Sequence, residues 1–323
     1  MLYIMNWSNL ALALSFLICG ATLCPAPEKT PSLYRRTISS SVEVLVNGRI
    51  AGTGAVVDAN GTVLTACHVI RTGERYEARS STAKRTPMEL IATDRSHDIA
   101  LLRLPKREKP YPFLPFAKTI PAEGRPAHLL GTPIFRHRLL LTGFVARREP
   151  LFEWYDGCFM EGYSLTGVVA GGTSGAAWVN GKGEIIGVQV AAMTVGEAPK
   201  GVVTSAPLKA IRSLCENRKT VVAPTMQAAV EELWAQGPEF IDNAPANAKG
   251  LVFRQVDAKG VAGEAGIRNG DLLLKMGKQS YETVTGFMRA LRRRKPGDKI
   301  RLSVSSARGQ ARREVVFPLA ELK

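Results

Sequence analysis

Apolar residues in this chain come in short runs broken by Gly, Asn and Pro, a spacing that predicts strands far more often than helices. Residues 42–46 alternate, and Asn47-Gly48 behind them is a hairpin signal. A second strand is predicted over 52–57, a turn at Asn60-Gly61 and a third strand over 62–65, followed by strands at 76–79, 88–92 and 99–104. Pro110, Pro112, Pro115, Pro121 and Pro126 then exclude both helix and central strand from the connector that follows. A second set of strands covers 127–130, 138–146, 158–168, 177–179 and 184–191, and a helix over 207–216 with Pro207 in its first turn closes it. Two β-rich halves meeting near residue 125 predict two small barrels or sandwiches packed together, because turns this dense leave no room for βαβ units. The pattern then changes. Residues 217–248 read as a linker with a helix-capable stretch at 226–235. From residue 250 strands at 251–253, 272–274, 300–304 and 314–319 surround a helix over 285–294, with Phe287, Met288 and Leu291 on one side.

The N-terminus adds a different kind of pattern. Residues 8–23 form an apolar run as long as the hydrophobic region of a secretion signal and short for a bilayer span. Cys19 and Ala21 place small residues at the −3 and −1 positions of a cleavage after Ala21. Residues 1–24 are therefore expected to be a signal peptide, with an uncleaved membrane anchor as the alternative, and 25–40 a Pro-, Ser- and Arg-rich tether. Export to the periplasm or cell envelope follows, with membrane association through this segment if it is retained.

Charge and cysteines narrow the classes. The 323-residue chain carries a formal charge of +15, which favours polyanions. Its basic residues are scattered, however, and no finger or aromatic nucleic-acid module accompanies them, so a solvated basic surface is expected and no specific nucleic-acid partner. None of the five cysteines forms a Cys-x-x-Cys pair, and the four histidines are dispersed, so neither a disulfide framework nor a metal site is expected.

The candidate chemistry centres on Gly171-Gly172-Thr173-Ser174-Gly175, a glycine-framed turn between apolar runs. Such a turn can be a plain β-turn, or it can present a serine hydroxyl and free N–H groups to developing negative charge. A nucleophilic serine needs a base, and the base an orienting acid. His68 directly after the third strand and Asp98 at the mouth of the 99–104 strand supply both types. Each alone could be structural, a core histidine or a turn aspartate. Together, the order His68, Asp98, Ser174 is that of double-barrel serine proteases and differs from the Ser–Asp–His order of α/β-hydrolases, whose G-x-S-x-G elbow is also absent.

Residues 41–216 resemble a chymotrypsin-fold serine protease of the HtrA/Deg type. The resemblance lies in Gly52–Val57, Gly61–Val69, His97–Arg103, Gly143–Val145, Gly171–Gly175 and Gly183–Gly187. Residues 249–323 resemble the PDZ domain that often follows this protease, most clearly in 261–273. The implied fold is mainly β, a chymotrypsin-like double β-barrel followed by a PDZ-like α/β domain. The implied function is peptide-bond hydrolysis through a His68–Asp98–Ser174 acyl-enzyme mechanism, with an oxyanion hole from the N–H groups of Gly172 and Ser174 and no cofactor. Val168, six residues before Ser174, implies a small or medium apolar side chain before the scissile bond, and Val188, Gln189, Val190 and Ala191 are expected to form the opposite pocket wall. Protein or peptide substrates are implied, along with a C-terminal peptide ligand on the PDZ-like domain and a homo-oligomer, since family members often form trimers. An inactive protease-like scaffold or peptide-binding protein is the alternative, with a basic polyanion-binding protein ranked behind it. The chain departs from the family at Cys67, which stands for Ala, at Thr173, which stands for Asn or Asp, at Ala176-Ala177, which stand for Gly-Pro, and at Gly260-Val261-Ala262, which stand for Ser-Pro-Ala. The apolar-Gly-apolar carboxylate loop is also missing, with Glu239–Asp242 as the nearest candidate.

Overall fold

A computed structural model describes residues 32–70, 75–81, 84–155, 157–195, 198–244, 247–306 and 312–322. The expected leader lies outside them, as do residues 25–31 of the tether. Inside the tether stretch, Leu33–Ile38 is a short helix (α1) whose start is capped by the Ser32 hydroxyl.

Six antiparallel strands form the first barrel: β1 (Ser41–Val46), β2 (Arg49–Val56), β3 (Thr62–Ala66), β4 (Tyr76–Arg79), β5 (Thr86–Asp94) and β6 (Ile99–Arg103), closed in the order β1-β2-β3-β6-β5-β4. Six more form the second: β7 (Pro126–Gly131), β8 (Leu139–Tyr155), β9 (Cys158–Thr166), β10 (Ala177–Val179), β11 (Ile185–Val195) and β12 (Ala198–Pro207), closed as β10-β11-β12-β9-β8-β7. Closure leaves neither sheet an unpaired edge, which is how a chain of short strands avoids exposing backbone donors and acceptors. Helix α2 (Leu208–Asn217) follows, burying Leu208, Ile211 and Leu214.

Apolar burial welds the barrels together. One core runs from Val44, Leu64 and Leu102 of the first barrel to Met160, Val188 and Val190 of the second and to Ile211 of α2. A separate core fills the second barrel around Trp178, Tyr163 and Leu165. The two barrels therefore meet at a seam whose two sides share one hydrophobic interior.

The C-terminal domain contains β13 (Pro224–Thr225), β14 (Ala229–Glu232), α3 (Pro238–Asn243), β15 (Leu251–Arg254), α4 (Val261–Glu264), β16 (Leu272–Met276), β17 (Gln279–Ser280), α5 (Val284–Leu291), β18 (Lys299–Ser305), β19 (Arg312–Pro318) and β20 (Ala320–Glu321). Its sheet runs β14-β15-β16-β18-β19, with β17 beside β16, and β13 pairs with β20 so that the start and end of the domain are tied together. Two expectations are corrected here. Residues 226–235 do not form one continuous helix: Gln227 takes a left-handed φ of 57°, 229–232 gain backbone partners by pairing with β15, and only Leu233–Ala235 make a single 3-10 turn. Glu239–Asp242 is no loop but part of α3, which starts at Pro238 with φ suited to a first helical position.

The protease-like half and the C-terminal domain are not joined by a bare linker. The β8–β9 hairpin, in register from Phe152↔Glu161 to Tyr155↔Cys158 at its outer end, carries Phe152 and Phe159 into the core of the C-terminal domain. Phe159 meets Met226, Ala228, Met288 and Leu291 there, and the space left among them is about 10 Å³, no more than a single water would need. The Trp154 indole stands edge-on to Phe159 at 5.1 Å and donates to Gln255 Oε1 at 2.5 Å. Replacing Phe159 with alanine should cost about 3 kcal/mol. Urea unfolding should report that loss, and limited proteolysis should find residues 217–322 cut sooner than in the parent protein.

Candidate functional site

His68 leaves β3 through a single 3-10 turn, Cys67–Val69, and Asp98 sits where the chain reverses into β6. Since β3 and β6 pair as Ala66↔Ile99, the two residues are placed side by side by sheet register. Asp98 has a left-handed φ of 53°, a region Asp tolerates better than most residues. That backbone turns its carbonyl to accept the Cys67 N–H at 3.0 Å, while its carboxylate takes two bonds from the next residue: the His68 N–H at 2.8 Å and His68 Nδ1 at 2.6 Å. A carboxylate on Nδ1 selects the tautomer with the proton there, leaving the Nε2 lone pair free to accept. The Tyr155 ring packs edge-on to the imidazole at 5.4 Å.

The 171–175 turn is inserted into the seam. Thr53 of β2 holds it twice, its N–H donating to the Ser174 carbonyl and its hydroxyl to the Gly172 carbonyl, both at 2.8 Å. From the other side, the Gly175 N–H donates to the Gln189 carbonyl on β11 at 2.8 Å. Gly175 has φ +83°, and a Cβ there would lie 2.1 Å from Thr65 Oγ1 and 2.7 Å from the Ala66 nitrogen. The turn thus rests directly on the end of β3, two residues before His68, and only glycine permits that approach. Gly172 has φ +97°, and a Cβ there would come within 2.3 Å of the Thr132 carbonyl.

The turn's own donors divide cleanly. The N–H groups of Thr173, Gly175 and Ala176 are taken by the carbonyls of Ala170, Gln189 and Thr173. Those of Gly171, Gly172 and Ser174 find no protein acceptor among the described residues. Half-buried N–H groups left open in a tight turn can receive negative charge. No hydrogen bond joins the Ser174 hydroxyl to His68, and such contacts often close only around substrate.

The residues expected to line the specificity pocket sit in different surroundings. Val168 is 73% exposed, whereas Val188 and Val190 are buried in the inter-barrel core. Gln189 points the other way, accepting from Trp178 Nε1 at 2.9 Å and donating to the Ala191 carbonyl at 2.7 Å, and Ala191 is half-buried. The reason is the pleat: four consecutive strand residues alternate between faces and cannot all line one wall.

Several residues at the site had no sequence signal of their own. Thr53 is one of many strand threonines. Tyr155 lies near a turn far along the chain. Glu43 sits in an apolar strand where alternation alone suggests an outward side chain, yet it is 1% exposed. Leu45, two residues on and therefore on the same face, was the available hint that this face is covered.

A second acid–histidine pair lies next to the first. His97 Nδ1 is 2.7 Å from Asp94 Oδ2, and Nε2 is 3.8 Å from Glu161 on β9. Burial works against a charge on His97, but the hydrogen bonds and charges of Asp94 and Glu161 outweigh it and hold the imidazolium to about pH 9. Burial likewise pushes the Cys67 thiol up to about 12, with the Asp98 charge adding to it, so the thiol next to His68 is protonated and unreactive at neutral pH.

The fold and the seam can be set beside known proteins. Residues 52–188 match the trypsin-like peptidase domain. This domain spans the β2–β11 region and contains all of His68, Asp98 and Ser174. Three quarters of the chain is similar to serine protease HTRA1 of Xenopus tropicalis, at 24% identity over 261 residues covering 75% of this chain and 55% of that protein. It is similar at 26% identity to mitochondrial serine protease HTRA2 of Bos taurus, covering 80% of this chain and 58% of that protein. A probable periplasmic DegP-like serine endoprotease of Buchnera aphidicola matches at 24% identity, covering 71% of this chain and 49% of that protein. The chain thus spans about half the length of the curated relatives it matches. Among solved structures, the HtrA-type protease AlgW with decapeptide superposes with a TM-score of 0.61 at 17% identity, covering 90% of this chain and 98% of that one. A serine endoprotease from Yersinia pestis gives 0.59 at 20% identity, covering 91% and 100%. These likenesses establish a chymotrypsin-type peptidase fold with a smaller α/β domain behind it.

The raised pKa of His97 has a consequence for stability. The folded value lies above that of a free imidazole, so the pair's contribution is complete below about pH 6.5, declines as pH rises and is gone above about pH 9. His97→Gln should therefore lower the melting temperature at pH 6 and leave it nearly unchanged at pH 10. Thermal melts of both proteins across that range check the crossing.

Proposed function

We propose that this protein is a serine endopeptidase. Ser174 attacks the scissile carbonyl, and His68 takes its proton through Nε2 and returns it to the leaving amine. Asp98 holds the imidazole and stabilises the imidazolium. The N–H groups of Gly172 and Ser174 receive the oxyanion, and water deacylates the enzyme, so no cofactor enters. The observation that carries this reading is the pair of hydrogen bonds from His68 to the Asp98 carboxylate, beside a turn whose Gly172 and Ser174 N–H groups are left open among the described residues.

The substrates proposed are exported or misfolded proteins in the periplasm or cell envelope, a setting supported by the DegP-like relatives. Among the described residues no helix is long and apolar enough to cross a membrane. A small or medium apolar residue before the scissile bond is favoured by Val168, which offers no carboxylate to a basic side chain and is open to contact. The C-terminal domain is read as PDZ-like. Because Phe152 and Phe159 are already buried in its core, its first role is to brace the β8–β9 hairpin, ahead of binding C-terminal peptides. Assembly into a homo-oligomer such as a trimer is proposed on the family resemblance alone.

An inactive scaffold is the second reading, favoured by the missing Ser174–His68 hydrogen bond. A fluorophosphonate probe separates the two. The parent protein should be labelled and Ser174→Ala should not, whereas a parent that stays unlabelled in the presence of peptide substrate contradicts the enzyme reading. Asp98→Asn, which keeps the shape but loses the tautomer control, should lower kcat roughly 10⁴-fold in a peptide-cleavage assay.

A further inference from the structure

We propose that Glu43 is a positioning residue for the oxyanion site: buried in the first barrel, it holds the 132–138 segment of the second barrel and thereby aims the Gly172 N–H. This inference rests on the assignment of Gly172 and Ser174 as oxyanion donors above.

The geometry runs through two short links. Glu43 Oε1 accepts from the Thr132 hydroxyl at 3.0 Å and lies 2.5 Å from His137 Nδ1, while Oε2 accepts from Arg79 Nε at 2.6 Å. Thr132 Oγ1 in turn accepts the Arg138 N–H at 3.3 Å, which pins both ends of the segment to one carboxylate. Within the segment the Ile134 N–H donates to the Gly171 carbonyl at 2.8 Å. In a trans peptide the C=O and the following N–H point in opposite directions. Fixing the Gly171 carbonyl on Ile134 therefore fixes the Gly172 N–H, directing it away from the segment. The Thr132 carbonyl closes the other side of Gly172, at 2.3 Å from where a Cβ would stand.

Two further observations point the same way. Ile134, Phe135 and Arg138 have left-handed φ values of 45°, 60° and 57°. Non-glycine residues hold such conformations only where surrounding contacts over-determine them, and here the buried carboxylate and its donors provide those contacts. Ile134 and Phe135 are themselves 59% and 69% exposed, so their own side-chain packing does not hold the segment. Glu43 also stands opposite Thr53 and Arg79 in the sheet, and cross-strand partners share a face. One face of the first barrel thus holds the Gly172 peptide by its carbonyl, through Thr53, and the preceding peptide through Glu43. Burial opposes charge on Glu43, but the bonds from Arg79, His137 and Thr132 outweigh it and keep the carboxylate ionised.

Glu43→Gln tests this directly. An amide has one accepting oxygen, so either Arg79 or the Thr132–His137 pair loses its partner. The expected result is kcat lowered at least about tenfold, with KM changed less than about threefold, since the removal of one oxyanion donor sets the upper range at 10²–10³. Fluorophosphonate labelling of Ser174 should slow in parallel, and hydrogen exchange should speed up in the peptides covering 132–138 and 170–176 and nowhere else in the peptidase domain. Thr132→Val should reproduce these effects without touching the Glu43–Arg79 pair, and Thr132→Ser, which keeps the hydroxyl, should restore them to near the parent level. Labelling within twofold of the parent in both Glu43→Gln and Thr132→Val overturns the proposal, as does slowed labelling with unchanged exchange at 170–176. If the parent protein itself takes no probe, the assignment of Ser174 falls and this role falls with it, an outcome distinct from a labelled parent with indifferent variants.

Discussion

The contact on which the cleft depends is the grip of Thr53 on the serine turn. One residue of the first barrel donates its N–H to the Ser174 carbonyl and its hydroxyl to the Gly172 carbonyl. Because a peptide's C=O and N–H are rigidly opposed, holding these carbonyls orients the N–H groups that follow them. The Gln189 carbonyl draws in the Gly175 N–H from the second barrel. The nucleophile candidate is thus suspended between two closed sheets, and the shared core of Leu64, Leu102, Met160 and Val188 keeps those sheets from sliding. A seam built this way can leave a few N–H groups unpaired without exposing the whole turn to water.

His68 and Asp98 use the same economy on the opposite side of the seam. Register between β3 and β6 brings them together, and the left-handed Asp98 backbone lets one carboxylate serve both the His68 main chain and its ring. Asp94, three residues from His97, repeats the acid–imidazole contact within the same turn. The two pairs differ in surroundings. His97 faces Asp94 and Glu161 and is held charged well past neutrality, whereas the His68 ring meets the single carboxylate of Asp98 and the Tyr155 ring. The basic Arg292 at the end of α5 donates to the Phe159 carbonyl and lies close enough to Asp94 and Glu161 for their charges to be felt.

That arginine illustrates how closely the C-terminal domain is built into the peptidase half. Its core includes two phenylalanines from the β8–β9 hairpin, and the same hairpin ends at Tyr155 against the His68 ring. A linear path of packed groups therefore runs from α5 through Phe159 and the hairpin tip to the histidine. Burying these aromatic side chains contributes several kcal/mol by area alone, so the two units are expected to unfold with a common boundary at the hairpin.

Much of this was legible in the chain itself. Short apolar runs and Asn-Gly turns determined a β-rich pair of halves, and the glycine-framed serine with a histidine and an aspartate upstream determined the candidate chemistry, because residue type and order are local properties. The helix over 284–291 was legible for the same reason. The specificity wall was not: its four consecutive residues divide between two faces of β11, a consequence of the pleat once the strand's place is known. Residues 226–235 had helix-forming composition, but a partner strand in β15 and a left-handed Gln227 overrode it. Glu43, Thr53 and Thr132 were silent because their roles arise from contacts across about 90 to 120 residues of chain, where hydrogen-bond direction is set by the meeting of two barrels and by no local pattern. The sequence by itself determined which groups could do chemistry; only the tertiary structure decided which N–H groups around Ser174 are left open, since that depends on which carbonyls the folded turn itself and Gln189 of β11 bring within reach.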